Sequence, residues 1–386
     1  MLLLKLAYRN LLGAGLRTWL SAIVLSASYV VIIWMQGFVN GWNVQARHDL
    51  IQEEYGGGQY WHALYDPYDP FSLEDSHGPV PPEFTAPEAA PVLIAPAAIY
   101  PQGRMQNILL KGIAPEQEVL ALPTAELALD DVDIPALIGK RMARHAALAV
   151  GDYVAIRWRD ANGVFDARDA RIVHIMDTDV PTVDNGTFWV PIERLRTMLQ
   201  LPGEATLLVA SRDMKKNKAV QGWVFRDQKF LLKDLTALLQ MKNASSAILY
   251  LILLSLALLA IFDIQVLSIF RRRKEIGTLI ALGMTRGGVI RLFTIEGMLH
   301  GVLAALIAAL YGFPLLTWQA NAGFALPKAV DSYGIAIAAS LYPVYSAQLV
   351  VGTTLIIMGA VTVVSFLPAR SIAHLNPTDA IRGKIS

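Results

Sequence analysis

The stretch RRRKEIGTLIALGMTRGGVIRLF, residues 271–293, places six basic residues and one acid between two long apolar segments. Arg271, Arg272 and Lys274 follow the end of the first apolar segment, and Glu275 lies at a helical spacing from Arg272 that favours an ion pair. Basic residues concentrate at the cytoplasmic ends of membrane-spanning helices. The stretch could therefore be a simple basic anchor, or it could also form a surface for a partner.

The whole chain has the composition of a membrane protein. Of its 386 residues, 54% are hydrophobic and only 17% are charged, and the absence of cysteine excludes disulfides and thiol chemistry. The segment LLLKLAYRNLLGAGLR (2–17) is amphipathic and precedes an apolar run without a clear cleavage site, which indicates a retained anchor. Four apolar stretches have about the 20 residues that cross a bilayer as a helix: Thr18–Val39, Ser245–Phe270, Gly297–Phe313 and Leu349–Leu367.

Charge is distributed unevenly along the sequence. Segments 1–17, 271–291 and 368–386 carry twelve basic residues against two acids, whereas 40–244 and 317–348 together are acidic on balance. The positive-inside rule therefore predicts a multi-pass membrane protein with both termini and the 271–293 stretch in the cytoplasm. The acidic segment 40–244 is expected outside, and its charge argues against a nucleic-acid partner.

Residues 40–244 have the patterns of a folded domain. The run GDYVAIRWRDANGVFDARDARIVHIMD (151–177) alternates polar and apolar residues on both sides of an Asn-Gly turn, which predicts a β-hairpin. Segments 189–203 and 221–241 space their apolar residues three and four apart and are predicted as helices. The Pro-rich segment 77–96 is predicted as a loop or extended edge segment. The predicted fold is a four-helix membrane protein with a large α+β extracytoplasmic domain after the first span.

The 271–293 stretch has more features than a basic anchor needs. Beyond the charges an apolar helical face continues, Gly283 suits a helix C-terminus, and Thr285 suits the N-cap of a short helix, 285–293. A basic anchor would explain the charges. The apolar face, the helix end at Gly283 and the new N-cap at Thr285 favour a surface for a cytoplasmic partner. The predicted surface residues are Glu275, Ile276, Leu279, Leu282, Gly283, Thr285, Arg286 and Ile290.

Three polar residues are expected inside the membrane. Asp263 lies eight residues before Arg271, about 12 Å along a helix, and could be functional, pack against a polar group or reach toward Arg271. Glu296 and His300 share a helical face, but two ligands without a third make a poor metal site, so a polar contact inside the bundle is the better interpretation. The sequence shows no metal site, Ser-His-Asp set or catalytic carboxylate pair.

Small residues form a stripe along the third apolar stretch, at Gly297, Gly301, Ala305 and Ala309. Such stripes allow another helix to approach closely. Whether that helix belongs to the same chain is left open by the sequence.

Several of these motifs resemble one family. RRRKEIGTLIALGMTRGGVIRLFTIEGMLHG (271–301) resembles the permease signature of the FtsX/MacB/LolC–LolE superfamily of ABC transporters, in which it precedes a cytoplasmic coupling helix. Further segments resemble the amphipathic helix, periplasmic domain and ending of these permeases: LAYRNLLGAGLRTWLS (6–21), LLKGIAPE (109–116), IGKRMARHAALAVGDYVAIRW (138–158) and LPARSIAHLNPTDAIR (367–382).

The resemblance implies a place in the bacterial inner (cytoplasmic) membrane, a domain layout and a set of partners. The layout is an amphipathic helix with the first span (1–39), an external MacB-like domain (40–244) and an FtsX-like permease domain (245–386), closest to LolC/LolE-type permeases. Gly139-Lys140 and Gly383-Lys384 lack the spacing and hydroxyl of a phosphate loop, so no cofactor is expected here. ATP and Mg would be bound by a separate dimer of ATPase subunits. The implied partners also include a second permease copy or a homologous permease, membrane lipid, and an extracytoplasmic carrier or duct protein.

The function implied is that of a non-enzymatic permease subunit. It would couple ATP hydrolysis by the partner to extraction or export of a lipid-linked, amphiphilic or peptide cargo, a lipoprotein among them, at the outer face of the inner membrane by mechanotransmission. The alternative is an FtsX-like signalling scaffold that activates an extracytoplasmic cell-wall hydrolase. A membrane enzyme is disfavoured because no catalytic set of residues is found.

Overall fold

The chain folds into two compact units. A computed structural model describes residue 7 and residues 16–84, 87–129, 131–214, 220–325 and 340–374. One unit, here called the bundle, contains the chain up to Asn43, Leu239–Phe324 and the chain from Ser340 on; the other is Val44–Leu238. Most of the predicted amphipathic segment 2–17 and the tail from residue 375 lie outside the described residues.

Four helices in the described part of the chain are long and apolar enough to cross a membrane: α1, α6, α8 and α9. Each contains one of the four predicted apolar stretches, so the chain is a multi-pass membrane protein as predicted. The helices are α1 (Leu16–Leu50), α2 (Lys140–Ala146), α3 (Pro181–Asp184), α4 (Ile192–Leu199), α5 (Gln228–Leu231), α6 (Lys233–Arg271), α7 (Arg273–Ala281), α8 (Arg286–Ala322) and α9 (Ala347–Ala369).

The long helices extend beyond the apolar stretches that predicted them. α6 has 39 residues and α8 has 37, because polar turns continue the helix at one end of each apolar run. As a result the division between the units falls within α1, after Asn43, and within α6, after Leu238. The sequence prediction placed these boundaries after residues 39 and 244.

The bundle has an apolar core to which all four long helices contribute. Small residues of α8, Ala304 and Ala308, allow close approach of the larger side chains of the other helices. The core residues are Leu25, Tyr29, Val30 and Ile32 of α1, Ala257 and Ile261 of α6, Ala304 and Ala308 of α8, and Ile357 and Val361 of α9.

The Val44–Leu238 unit is built on one mixed sheet of nine strands in the order β11-β1-β10-β3-β4-β8-β5-β7-β6. The described strands are β1 (Gln59–His62), β2 (Gly78–Pro79), β3 (Ala89–Ile99), β4 (Gln106–Ile113), β5 (Pro135–Gly139), β6 (Tyr153–Arg159), β7 (Phe165–Met176), β8 (Thr187–Pro191), β9 (Glu204–Ala205), β10 (Leu207–Ala210), β11 (Trp223–Arg226), β12 (Phe324–Ala325) and β13 (Ser340–Leu341).

The sheet closes on itself because β6 pairs with β3 as well as with β7. Strands β3, β4, β8, β5, β7 and β6 thus form a ring of six, and closure removes the exposed edges that an open sheet would have. Along β6 the apolar residues Val154, Ile156 and Trp158 are buried in the core shared with α2 and α4, and the residues between them face outward. This unit has a mixed α/β fold.

The predicted hairpin is present as β6 and β7, which pair antiparallel from Tyr153 to Arg159. Its loop is closed by Asp160, whose carboxylate accepts hydrogen bonds from the backbone N–H of Asn162 (2.9 Å) and Val164 (2.8 Å). Gly163 adopts φ +83°, a conformation that favours glycine.

The prediction for the Pro-rich segment 77–96 is wrong in its second half. Residues 89–96 belong to β3, an inner strand between β10 and β4. Pro91 precedes the part of β3 that pairs with β4, and Pro96 lies between the parts that pair with β10 and β6. Each proline therefore lies where one neighbouring ladder is interrupted, and proline is tolerated there because it donates no hydrogen bond.

The two predicted helices 189–203 and 221–241 are present only in part. In each the structure begins with a strand, β8 through Pro191 and β11 at Trp223–Arg226, before the helix starts. Sheet pairing of β11 with β1 prevails over the helical spacing of its apolar residues.

Candidate functional site

The stretch 271–293 folds into the end of α6, the short helix α7 and the start of α8. Arg272 lies between α6 and α7 with φ −98° and ψ 17°, which breaks the helix. α7 then ends at Ala281, Leu282 is its C-cap, and the next residue, Gly283, adopts φ +96°. The N–H of Gly283 donates to the carbonyl of Ile280 and that of Met284 to Leu279, both at 3.0 Å, which is the Schellman pattern of a helix C-terminus.

Thr285 is the N-cap of the next helix, as predicted: its hydroxyl accepts a hydrogen bond from the N–H of Gly288 at 3.1 Å. The predicted separate helix 285–293 is wrong, however. Thr285 caps α8, which runs to Ala322, because buried residues such as Phe293, Glu296 and His300 continue one inward face from the turn into the span. The separate short helix of this region is α7, and we call residues 282–285 the α7–α8 turn.

An apolar cluster lies behind this turn. The ends of α6 and α9 contribute to it, together with α7 and the start of α8. Its buried members are Ile269, Ile276, Val289, Phe293, Ala369 and Ile372, and Leu279, Ile280, Met284 and Ile290 pack against them.

The predicted surface residues divide into two sets. Ile276, Leu279 and Ile290 face the apolar cluster, so they hold the turn in place and are not free to contact a partner. Leu282 is 80% exposed. The other exposed members are Glu275, Gly283, Thr285 and Arg286. A role of the exposed set in binding a partner stays a prediction.

A charged clamp joins the helix break to α8. The guanidinium of Arg272 donates to both carboxylate oxygens of Glu275, through Nε and Nη2 at 2.7 Å, and to both oxygens of Glu296, through Nη1 at 3.0 and 2.8 Å. The guanidinium also lies over the ring of Phe293, 4.9 Å from its centroid. We call Arg272, Glu275 and Glu296 the Arg272 clamp.

Within the clamp, Arg272 and Glu275 each favour the charged form of the other. The hydrogen bond from Arg272 holds the pKa of Glu275 below its usual range, and the same bond raises the pKa of Arg272. The side chain of Glu296 is only 5% exposed, so without Arg272 its carboxylate would be a buried, unpaired charge. The clamp therefore fixes the direction in which α7 leaves α6.

Glu296 and His300 make the polar contacts within the bundle that the sequence favoured. His300 is buried, and its Nδ1 lies 2.8 Å from the backbone carbonyl of Glu296. Because a carbonyl only accepts, Nδ1 carries the proton. In the described residues no three His, Cys, Asp or Glu side chains are grouped so that they could hold a metal ion.

The small-residue stripe of α8 packs against α9 of the same chain. A Cβ atom at Gly297 would collide with Ser365 of α9 and would lie 2.7 Å from Nε2 of Gln265 on α6. At Gly301 a Cβ would lie 3.1 Å from Sδ of Met358. Farther along, the buried small residues are Ala304 and Ala308, whereas Ala305 is half-buried and Ala309 exposed, because the contact follows 3.6 residues per turn.

Asp263 lies exposed on the surface of α6, and within the described part of the chain it makes no hydrogen bond or ion pair. The buried polar residue of this helix is Gln265, only 3% exposed, which sequence reasoning missed. It also missed the pairing of Arg272 with Glu296. The signal was available, because a carboxylate in an apolar helix needs a cation and Arg272 stands at the membrane boundary.

Comparison with known proteins places this site in a family. Residues 247–377, which contain the clamp, the turn and the stripe, match the FtsX-like permease C-terminal family. The lipoprotein-releasing system transmembrane protein LolC of Xylella fastidiosa (strain Temecula1) is 23% identical over 252 residues, which cover 60% of this chain and 60% of LolC. The chain thus contains an FtsX-like permease domain and is similar to the LolC and MacB permeases.

Other relatives of this permease carry a different name. The macrolide export ATP-binding/permease protein MacB of Neisseria gonorrhoeae (strain FA 1090) is 24% identical over 238 residues, 56% of this chain and 34% of MacB. A MacB of Neisseria meningitidis (strain Z2491) is 26% identical over 159 residues. The permease thus spans about 60% of the length of the LolC protein and about a third of the longer MacB match.

Proposed function

We propose that this permease is the membrane subunit of an ABC transporter that uses ATP hydrolysis by a separate dimer of ATPase subunits, with ATP and Mg bound there. Its cargo is lipid-linked, amphiphilic or peptide and is extracted or exported at the outer face of the inner membrane. The names of the relatives support this, since one releases lipoproteins and the other exports macrolides with an ATP-binding part. The observation that carries the proposal is the exposed α7–α8 turn held by the Arg272 clamp.

The turn has the features of a coupling element. Leu282 is exposed on the surface of the turn. The turn is held in place by the Schellman end of α7, the Thr285 cap of α8 and the apolar cluster behind both. Basic residues on both sides of it support a cytoplasmic position. An ATPase that binds Leu282 would therefore move α7 and α8 together.

The Arg272 clamp passes such a movement to the membrane helices. Arg272 holds Glu275 of α7 and Glu296 of α8 at once, and it stands at the end of α6. α6 and α1 continue without a break into the residues of the Val44–Leu238 unit. Motion of the turn thus reaches the Val44–Leu238 unit through these helices. Transport by this mechanism requires no channel through the membrane.

A second copy of this chain, or a homologous permease, completes the membrane part. In the most apolar 18-residue part of α6 only 11% is buried, against 50% in the most apolar part of α1. Asp263 lies on the exposed surface of α6, where lipid would leave its carboxylate without a polar partner. A second permease on this surface would cover both the apolar residues and Asp263.

The proposal is tested by photo-crosslinking in intact cells. A photoreactive apolar residue at position 282 should form an adduct with a protein that carries a Gly-rich phosphate loop. The matched control is position 310, because Leu310 on α8 is 81% exposed but lies within the span. An equal adduct at both positions, or none at 282 with the protein correctly inserted, would reject the turn as the ATPase contact.

A further inference from the structure

A cleft opens at the other end of the bundle, between α1, α6 and α9. It has a volume of about 450 Å³ and is lined by the outer end of the apolar part of α1, the start of that of α6 and the start of α9. All of its lining residues belong to the bundle. The cleft thus lies at the level where the spanning helices leave the apolar layer.

The lining is polar but carries no charge. Nine of its thirteen residues have side chains that can form hydrogen bonds, and none is Asp, Glu, Lys, Arg or His. Some of these groups are already used: the Thr353 hydroxyl donates to Oε1 of Gln36 at 2.7 Å, and Nδ2 of Asn40 donates to the carbonyl of Val344 at 3.2 Å. Others have capacity left. The Oδ1 atom of Asn43 is buried and accepts no hydrogen bond from the described residues.

The cleft is amphipathic along its depth. On α9 the lining begins with Ser346 and Gln348 and ends with Ile356, about two turns after Leu349. A molecule with a polar head at the rim and an apolar chain running down α9 would match both parts. Bilayer lipids and lipid-linked molecules share this construction.

The absence of charge in the lining favours an uncharged headgroup on the bound molecule. An anionic head would enter a lining without a cation, and burying an uncompensated charge costs much more than burying a hydroxyl that finds partners. The nearby Lys242 does not supply that cation, because its ammonium lies over the ring of Trp42 and does not line the cleft.

We propose that this cleft binds an amphiphile with an uncharged, hydrogen-bonding headgroup, such as a glycerol or sugar head, whose chain lies along Leu349 and Ile356. Asn43, Asn243, Ser246 and Tyr250 line the part of the cleft proposed for the head. Binding in the cleft does not depend on transport; that the bound molecule is cargo rests on the proposed function.

Two glycines of α9 provide a matched pair of variants. Gly352 lines the cleft, and a Cβ added there would meet nothing within 4 Å, so Gly352→Leu adds an apolar side chain at the cleft wall. Gly359 lies about two turns deeper on the same helix, does not line the cleft and has equally open space. Both substitutions replace glycine in a helix and should aid helix formation similarly.

The test uses the full chain in phosphatidylcholine nanodiscs without nucleotide, and two photoreactive probes with the same acyl chain. One is a monoacylglycerol, which is uncharged, and the other is a lysophosphatidic acid. We expect the monoacylglycerol to label residues of the cleft, Gly352→Leu to weaken this labelling about tenfold and Gly359→Leu to leave it within about twofold. Tyr250→Phe, which keeps the volume, should weaken it less than Gly352→Leu.

Equal labelling of both glycine variants would overturn the proposal, and so would stronger labelling by the lysophosphatidic acid. Because no ATPase is present, these outcomes are separate from the fate of the proposed function. If the cleft binds the uncharged probe but the complex moves no amphiphile, the binding site stands and only its role as a cargo site fails.

Discussion

The two ends of the bundle are built on opposite principles. At the end near Arg272 four helix segments enclose an apolar cluster, and a guanidinium holds two carboxylates in place. At the other end α1, α6 and α9 separate around a cleft of about 450 Å³ with a polar, uncharged lining. The first arrangement resists deformation, whereas the second leaves hydrogen-bonding groups available.

The difference suggests a division of labour within one set of helices. A paired charge is stable in a buried place only while every partner stays in position, so a clamp of charges suits an element that must move as one piece. Uncharged groups can exchange hydrogen bonds with water or a ligand at small cost, which suits a place that fills and empties. The predictions below test this contrast, starting with the largest expected effect.

The strongest test of the stiff end is Arg272→Met. This variant leaves the carboxylate of Glu296 buried and unpaired, and breaking a buried pair in this way costs about 3–5 kcal/mol. We expect a large loss of thermal stability of the purified chain in detergent. Adding Glu296→Gln should restore part of it, and Lys274→Met, at an exposed residue in the first turn of α7, should change little. If Arg272→Met were as stable as Lys274→Met, the clamp would not hold the helices together.

A smaller effect is expected where α8 meets α9. Gly297→Ala places a methyl group against Ser365 and Gln265, so the helices must separate slightly, at a cost of about 1–3 kcal/mol. Gly287→Ala is the control, since a Cβ there meets nothing within 4 Å and alanine favours the helix. Thermal unfolding of both variants measures the contrast; a stabilised Gly297→Ala protein would show that this contact is loose.

Glutamates with and without a basic partner should respond to pH in opposite directions. Glu53, in the π-helical turn Ile51–Tyr55 after α1, has its pKa raised to about 7 by burial, with further effects from Asp49, Asp177 and Asp179. The folded protein therefore binds this proton more tightly than the unfolded chain does. Its contribution to stability is present below pH 4.5, the ordinary pKa, and is lost as the pH rises to about 7.

The measurement for Glu53 is the unfolding temperature of the full chain against pH. Glu53→Gln should remove the decline between pH 4.5 and about 7. Glu275 has its pKa lowered by Arg272, so its contribution is present above the unfolded pKa and is lost as the pH falls through the folded value. Glu275→Gln should thus lower the unfolding temperature above the unfolded pKa and remove this part of the decline at acid pH. The same pH profile for the wild type and Glu53→Gln would contradict the assignment.

The sequence predicts the bundle better than the Val44–Leu238 unit for physical reasons. Long apolar runs have few alternatives to a spanning helix, and the Asn-Gly turn identifies the β6–β7 hairpin locally. The closure of the sheet by β6 and β3, and the inner position of Pro91 and Pro96, depend on pairings between distant residues. A local pattern contains no information about such pairings.

The same limit applies to the candidate site. Gly283 and Thr285 are recognised as helix ends because their chemistry is local. The length of the helix that Thr285 caps depends on packing along α8, and the pairing of Arg272 with Glu296 spans 24 residues. The cleft joins Gln36 to Thr353, 317 residues apart, and it becomes visible only when the helices are assembled.

The most direct test of the account concerns Leu282 in the assembled complex. Leu282→Asp should change the stability of the permease by less than about 0.5 kcal/mol, because the side chain is 80% exposed. It should nevertheless reduce co-purification of the ATPase with the tagged permease, or abolish the stimulation of ATP turnover by the permease, while Leu282→Met behaves like the wild type. If Leu282→Asp leaves both ATPase binding and its stimulation unchanged, the α7–α8 turn is only a basic anchor of the membrane helices.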